Sequence, residues 1–295
     1  MRIFLTGATG FVGSAITSTL LQDGHHVIGL ARSDATLASL VAAGAIPYRG
    51  DLTDAHSLQR ATESADAVIH AAFDHDFSNF AASCDIDRQA IATIGAALAG
   101  SGKRLIVTAG LPPTPGRTAT EDELAPDGVQ GMPRLSEQTA LSFSSDVHVS
   151  VIRMSQVHDR HRQGFASYFL AHAQKTGVSA YIGEGNNRWP AVHRQDAARL
   201  YRHVLEDGVA GQRYHALTQE GIRQREVAEA IGRRLNVPVV ALAAQDAAQH
   251  FGWLERIARM DVPASSTLTQ ARLGWRPAEP SGFIDDIDRA VLAAT

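Results

Sequence analysis

Apolar residues along this chain follow two periods. Short, nearly continuous apolar runs recur through the first half: Ile3 to Leu5, His26 to Leu30, Ala45 to Tyr48, Ala67 to His70, Arg104 to Thr108 and His148 to Arg153. Such runs, bounded by turn residues, read as strands buried on both faces. Between them the spacing becomes helical, as in Ser14 to Leu21 and in Ile86, Ala90, Ile91, Ile94 and Leu98. Strands alternating with helices predict an α/β fold with a doubly wound parallel sheet. The second half is less regular. It predicts an amphipathic helix over Phe165 to Thr176, a strand over Val178 to Ile182, a helix starting near Glu226, and a helix closed by Gly274 before Pro277. These belong to a smaller C-terminal lobe. The expected division is 1–155 for the first unit and 156–295 mainly for the second, with 191–205 returning to the first. The stretch Leu111 to Pro133, rich in Pro, Gly, Thr and acids, reads as a long surface loop.

The first strand runs into Thr6-Gly7-Ala8-Thr9-Gly10-Phe11-Val12-Gly13 and then into a helix. A glycine turn there brings backbone N–H groups and a positive helix end up to a phosphate. Gly7 allows the tight turn, Gly10 the approach of a pyrophosphate, and Gly13 the close packing of helix on strand. Gly7, Thr9, Gly10, Phe11, Val12 and Gly13 are therefore expected to hold a dinucleotide in a Rossmann-type fold. The end of the second strand points to which one. NAD sites usually place an acid there to bind the ribose 2′-hydroxyl. This chain has Ala31-Arg32-Ser33, whose guanidinium and hydroxyl suit a 2′-phosphate. NADP is favoured over NAD on that ground; a solvated loop arginine is the alternative.

The G-x-x-G-x-x-G spacing resembles the short-chain dehydrogenase/reductase superfamily, above all its extended and atypical, epimerase/dehydratase-like branch. Val192-His193-x-x-Asp196 and the Leu273–Pro277 ending are similar to that branch too, so the likeness covers nearly the whole chain. It implies further cofactor contacts: Asp51 and Leu52 at the adenine, Ala71, Ala72 and Phe73 beside the nicotinamide ribose, Thr108 lining the site, and Val157 at the carboxamide through its backbone. Asp51 also fits a turn or helix-capping acid before Ala55. The likeness places Arg188 and Trp189 where extended members hold an anionic or planar substrate group. The pair could clamp an anion and stack a ring, or equally be a packed aromatic with a salt bridge.

The superfamily usually works with a Tyr-x-x-x-Lys pair on the helix after the fifth strand. This chain departs from it: no tyrosine lies between Tyr48 and Tyr168, and the only lysines are Lys103 and Lys175. If Glu137 matches the family's Ala-Glu, Val129 and Pro133 replace the pair; aligned by distance from the fifth strand, Arg134 and Gln138 do. The remaining catalytic candidates are Thr108 and His158. Thr108 is also a natural strand residue, and a histidine near the cleft mouth can do proton work near neutral pH or simply sit on the rim.

Composition narrows the rest. With 295 residues, 44% hydrophobic and 20% charged, the chain is long enough for one large domain plus a lobe. A net charge of −4 offers no basic field for nucleic acid. The single Cys84 excludes a disulfide framework, and Asp74-His75-Asp76 lacks a metal-ligand spacing, so no metal is expected. No apolar run is long enough to span a bilayer, and no targeting segment precedes the first strand, which points to the cytoplasm without membrane contact. A small-molecule substrate is the expected partner, and a homodimer is compatible with the sequence. The leading reading is an NAD(P)-dependent oxidoreductase acting on a small carbonyl-like compound. A non-catalytic NADP(H) sensor or scaffold is the alternative, and a sugar epimerase or dehydratase ranks third because those reactions lean most on the tyrosine.

Overall fold

The computed structural model describes residues 1–114, 116–124 and 134–292. Val129 and Pro133, one of the two alignments for the missing pair, and much of the expected surface loop lie outside them.

The first half is built from β1 (Arg2–Thr6), α1 (Phe11–Gln22), β2 (His26–Ala31), α2 (Asp34–Ala42), β3 (Ile46–Arg49), α3 (Ala55–Glu63), β4 (Ala67–His70), α4 (Phe80–Leu98), β5 (Arg104–Gly110), α5 (Ser136–Leu141) and β6 (His148–Met154). The second half adds β7 (Gln156–Asp159), β8 (Arg162–Gln163), α6 (Ala166–Thr176), β9 (Ser179–Ile182), β10 (Arg188–His193), α7 (Arg194–Asp207), β11 (Arg213–Ala216), β12 (Gln219–Arg223), α8 (Gln224–Leu235), β13 (Val239–Leu242), α9 (Ala247–Phe251), α10 (Glu255–Ala258), α11 (Thr267–Leu273) and α12 (Phe283–Asp288).

Seven strands form the main sheet in the order β11-β6-β5-β4-β1-β2-β3, all parallel. The fold is α/β and Rossmann-like. The order reverses between β4 and β1, which is the switch point where doubly wound sheets bind ligands beyond the strand ends. Continuous apolar strands such as Ile3-Phe4-Leu5 supply both faces. Ile3 and Leu5 pack with Ile16, Leu40 and Leu200, while Phe4 packs with Leu58, Ile91 and Leu105 on the other side. Return of the chain to this sheet runs further than 191–205: α7 packs on α1, and β11 becomes an edge strand with Tyr214 and Ala216 in the main core. Asp196 fixes that return. Its carboxylate accepts the N–H of Ala278 at 2.8 Å, and its carbonyl accepts the indole N–H of the buried Trp275 at 3.2 Å.

A second core lies in the lobe, where Phe169, Trp189, Ile231, Phe251, Leu254 and Phe283 pack together. A four-stranded sheet, β12-β10-β7-β8, connects lobe and main sheet. Among the described residues no helix is long and apolar enough to cross a membrane.

Candidate functional site

The glycine turn meets its steric requirement atom by atom. Gly7 has φ +74°, and a Cβ there would stand 2.8 Å from the backbone nitrogen of Ala72. A Cβ on Gly13 would stand 1.9 Å from the Gly7 carbonyl oxygen. Only glycine lets β1, the β4 end and α1 converge this closely. Gly10 is the N-cap of α1, with no side chain to cap it. The N–H groups of Phe11, Val12 and Gly13 therefore have no intrahelical acceptor and are open to an anion. Two cations stand over this end: the Arg194 guanidinium lies 5.0 Å and that of Arg162 5.8 Å from the Phe11 ring centre. Arg194 also donates to Ser14 Oγ at 2.9 Å and pairs with Asp159 at 3.3 Å. The residues fit a dinucleotide pyrophosphate.

At the β2 end Arg32 is exposed, its Nε 3.8 Å from Asp51. Ser33 caps α2 by accepting the N–H of Thr36 at 3.2 Å. Arg49, also at this end, pairs with Asp34 and donates to the Arg32 carbonyl at 3.4 Å. Asp51 accepts the backbone N–H and hydroxyl of Thr53 at 2.8 and 2.7 Å. Burial opposes ionisation there, but the Thr53 hydrogen bonds and Arg32 outweigh it, so the carboxyl titrates below its ordinary value. The α3 cap is Asp54, not Asp51. Leu52 is half-buried against the main sheet's core.

A connected polar network spans the ends of β1, β4 and β5. Thr6 Oγ1 lies 2.9 Å from His70 Nδ1, and His70 Nε2 lies 3.3 Å from Asp87. Ser136 Oγ donates to the other Asp87 oxygen at 2.5 Å, and Arg134 Nε donates to Ser136 Oγ at 2.9 Å. Arg134 Nη2 donates to the Thr108 carbonyl at 3.2 Å. Thr108 Oγ1 donates to the His70 carbonyl at 2.9 Å and stands 2.6 Å from the Tyr201 hydroxyl. Burial alone would raise the Asp87 pKa, but His70, Arg134 and Ser136 more than offset it, and the carboxyl sits below its usual range. Burial lowers the Arg134 pKa against the pull of Asp87, from so high a starting point that the guanidinium stays charged. Its plane rests 3.9 Å from the Phe73 ring centre. Burial pushes the nearby Cys84 thiol up to about 11, so it is held as an inert thiol.

Local structure explains why Arg134 stands there. Two residues into α5, Glu137 is buried between Arg153 and Arg213, with Nε–O distances of 2.7 and 2.6 Å. That ion cluster pins α5 to β6 and β11. Arg134, two residues before the helix, is then carried to the strand ends.

Ala71, Ala72 and Phe73 line the same end: Ala72 N donates to Thr6 Oγ1 at 3.3 Å. Val157 is 7% exposed and pairs with Val192 in the connecting sheet. Several expected roles change. Thr108 is present at the cleft, but its one proton goes to the His70 carbonyl, so it has none to give a substrate. The Tyr201 hydroxyl then donates to Thr108; burial raises its pKa, and the residue is 0% exposed. His158 is not at the cleft mouth. It is 1% exposed, packs against Phe283, and bonds Asp286 at 2.6 Å. Trp189 is 0% exposed in the lobe core with its indole N–H on the Met260 carbonyl at 3.2 Å. Arg188 pairs with Asp261 at 3.3 Å. The pair is thus a packed aromatic beside a salt bridge, and the buried Trp189 has no face to stack on a substrate.

From the expected Phe73, rings absent from the expected site continue as its outer wall. Phe73 meets Phe80 at 5.8 Å and Phe80 stacks on Phe77 at 6.0 Å. Phe77 stacks on Trp253 of the lobe at 5.3 Å and touches Phe165 and Tyr168.

A parallel sheet with a glycine phosphate cradle at its switch point defines a dinucleotide-binding protein. The family model described as NAD(P)H-binding matches residues 7–207. The chain belongs to that family. It is 43% identical over 290 residues to an uncharacterized protein of Schizosaccharomyces pombe, covering 97% of this chain and 98% of the relative. Its fold is similar to dTDP-glucose 4,6-dehydratase of Streptomyces venezuelae with NAD and TYD bound, at TM-score 0.78 and 21% identity, covering 98% of this chain and 95% of that one. A Thermus thermophilus UDP-glucose 4-epimerase complex with NAD matches at TM-score 0.73 and 20% identity, covering 98% and 97%. The family match supports a nicotinamide dinucleotide as the cofactor.

Proposed function

We propose that this protein is an NADP(H)-dependent oxidoreductase that reduces a small carbonyl compound without a tyrosine acid. The observation that carries this is the placement of the glycine cradle and the Thr108–Arg134 network on one cleft at the switch point. Gly7 to Gly13 hold the pyrophosphate, Asp51 and Leu52 border the adenine, and Ala71 to Phe73, Thr108 and Val157 border the nicotinamide. Arg32 meets the ribose 2′-phosphate, with the N-terminus of α2 behind it. Bound there, the cofactor supplies hydride chemistry. The chain's own part is to hold the substrate oxygen and exclude stray water; with Thr108 and Tyr201 committed to each other, water is the proton source.

Titrating NADPH and NADH by nicotinamide fluorescence tests the cofactor half. NADPH should bind more tightly, and Arg32→Ala should weaken it by about 1.5–3 kcal/mol, as for hydrogen bonds to charged groups, without touching NADH. Equal affinities in the unaltered protein would remove the preference. Aldehydes, ketones and imines are then screened for NADPH oxidation. The absence of any tyrosine between Tyr48 and Tyr168 favours one other reading, a sensor that binds NADP(H) without turnover. Tight NADPH binding with no turnover on any class would move the assignment there.

A further inference from the structure

We infer that Arg134 and the ring wall beside it form the substrate subsite, and that the subsite takes a planar, largely apolar molecule carrying a carboxylate. This rests on the oxidoreductase reading for its place beside the nicotinamide and goes beyond it in naming the substrate class.

Two observations carry it. The first is an incompletely used cation. Arg134 Nε is bonded to Ser136, Nη2 to the Thr108 carbonyl, and Asp87 stands at 3.8 Å. Nη1 makes no hydrogen bond among the described residues, although the side chain is only 20% exposed. A guanidinium fixed on three sides and stacked on Phe73 loses little freedom when it binds an anion, and its fork geometry matches a carboxylate oxygen. Among the described residues the single carboxylate near it is shared with His70 and Ser136, so it does not cancel the guanidinium's pull on a new anion.

The second observation is the wall. From Phe73 the rings continue through Phe80 and Phe77 to Trp253, from the segment after β4 across to the lobe. Phe73, Phe77, Phe80, Phe165 and Tyr168 are only half-buried, and Trp253 is 54% exposed. Stacked and edge-on rings left partly open to water present apolar faces to a flat guest. One fixed cation at the nicotinamide end and rings leading away from it specify a molecule with its charge at one end and its plane along the wall. Of the pair the sequence nominated for this task, Trp189 is buried in the lobe core and Arg188 is paired with Asp261, away from this wall.

The test uses the full chain and two probes that share one styryl plane and differ in charge, trans-cinnamate and trans-cinnamyl alcohol, titrated calorimetrically with and without NADPH. Cinnamate should bind roughly ten- to hundredfold more tightly, the range for a hydrogen bond to a charged group. Arg134→Met should erase that preference while keeping the alcohol's affinity; Arg134→Lys should keep part of it. Trp253→Ala, at an exposed position, should weaken both probes together and leave their ratio unchanged. If Arg134→Met does not fold, the lysine and alanine variants decide. Binding of neither probe, equal binding of both, or a preference that survives Arg134→Met overturns the subsite. Unchanged binding of both probes to Trp253→Ala overturns it as well. A cinnamate preference in a protein that binds no NADPH supports the subsite and overturns the oxidoreductase reading instead.

Discussion

Replacing Gly13 by alanine separates packing from phosphate binding in the cradle. The added Cβ would lie 1.9 Å from the Gly7 carbonyl oxygen and 2.7 Å from its carbon. Both are backbone atoms, so no rotamer change relieves the clash. The Gly7 carbonyl must recede by roughly 1.5 Å to reach an ordinary van der Waals distance, yet it also accepts the Gly10 N–H at 2.9 Å. Overpacking costs about 1–3 kcal/mol, and a rigid neighbour puts this case near the top. The helix gains back about 0.5–1 kcal/mol from alanine's propensity. A net loss of about 2 kcal/mol corresponds to a fall in melting temperature of about 4–8 °C. Gly10→Val is the control. Its Cβ would meet the Gly7 oxygen at 3.1 Å, so the fold should tolerate it while the branched side chain blocks the pyrophosphate. Thermal unfolding by circular dichroism and NADPH titration read the two effects apart. Gly13→Ala should lose stability and affinity, Gly10→Val affinity alone. A Gly13→Ala protein with unchanged melting temperature and affinity would refute the argument.

Two further outcomes follow from the buried ion cluster and from the lobe core. Burial would raise the Glu137 pKa, but Arg153 and Arg213 outweigh it and hold the carboxyl below its ordinary value. A depressed folded pKa contributes stability that is complete above the ordinary glutamate value of about 4.3 and is lost as pH falls through the folded value. Glu137→Gln should cost about 3–5 kcal/mol in urea unfolding at pH 7, because it leaves buried arginines unpaired, and should shrink the loss of stability on acidification; an unaltered acid limb would contradict this. Trp189→Ala should cost about 3–5 kcal/mol of stability, as for a buried aromatic, whereas a substrate-clamping tryptophan would alter only KM.

Legibility in the sequence tracked how local each constraint was. The cradle could be read because its requirements are backbone ones: a positive φ at Gly7 and no room for a Cβ at Gly13 admit one residue type. The strands could be read because burial on both faces leaves continuous apolar runs. Arg188 and Trp189 could not be placed from their residue types. Alternation along β10 decides that Trp189 faces the lobe core, and the partner that occupies Arg188 is Asp261, 73 positions away. His158 was misplaced for the same reason, since Asp286 lies 128 positions away.

The polar network shows what a local reading can recover and what it cannot. Tyr201 was missed because a tyrosine among Ala197, Leu200 and Val204 looks like part of an ordinary buried stripe on α7. The signal that could have found it was the expected return of 191–205 to the main sheet, which brings the inner face of α7 against β5 and lets a hydroxyl reach Thr108. Arg134 had a weaker signal. It is the only cation just ahead of α5, and in one alignment it takes the place of the family's tyrosine. No spacing rule, however, tells that Phe73 would lie beneath it or that Ser136 and the Thr108 carbonyl would hold it. A charged residue near a strand end therefore becomes a candidate for chemistry through the donor that no described residue uses, Nη1 of Arg134, and that quantity exists only once the neighbours are known.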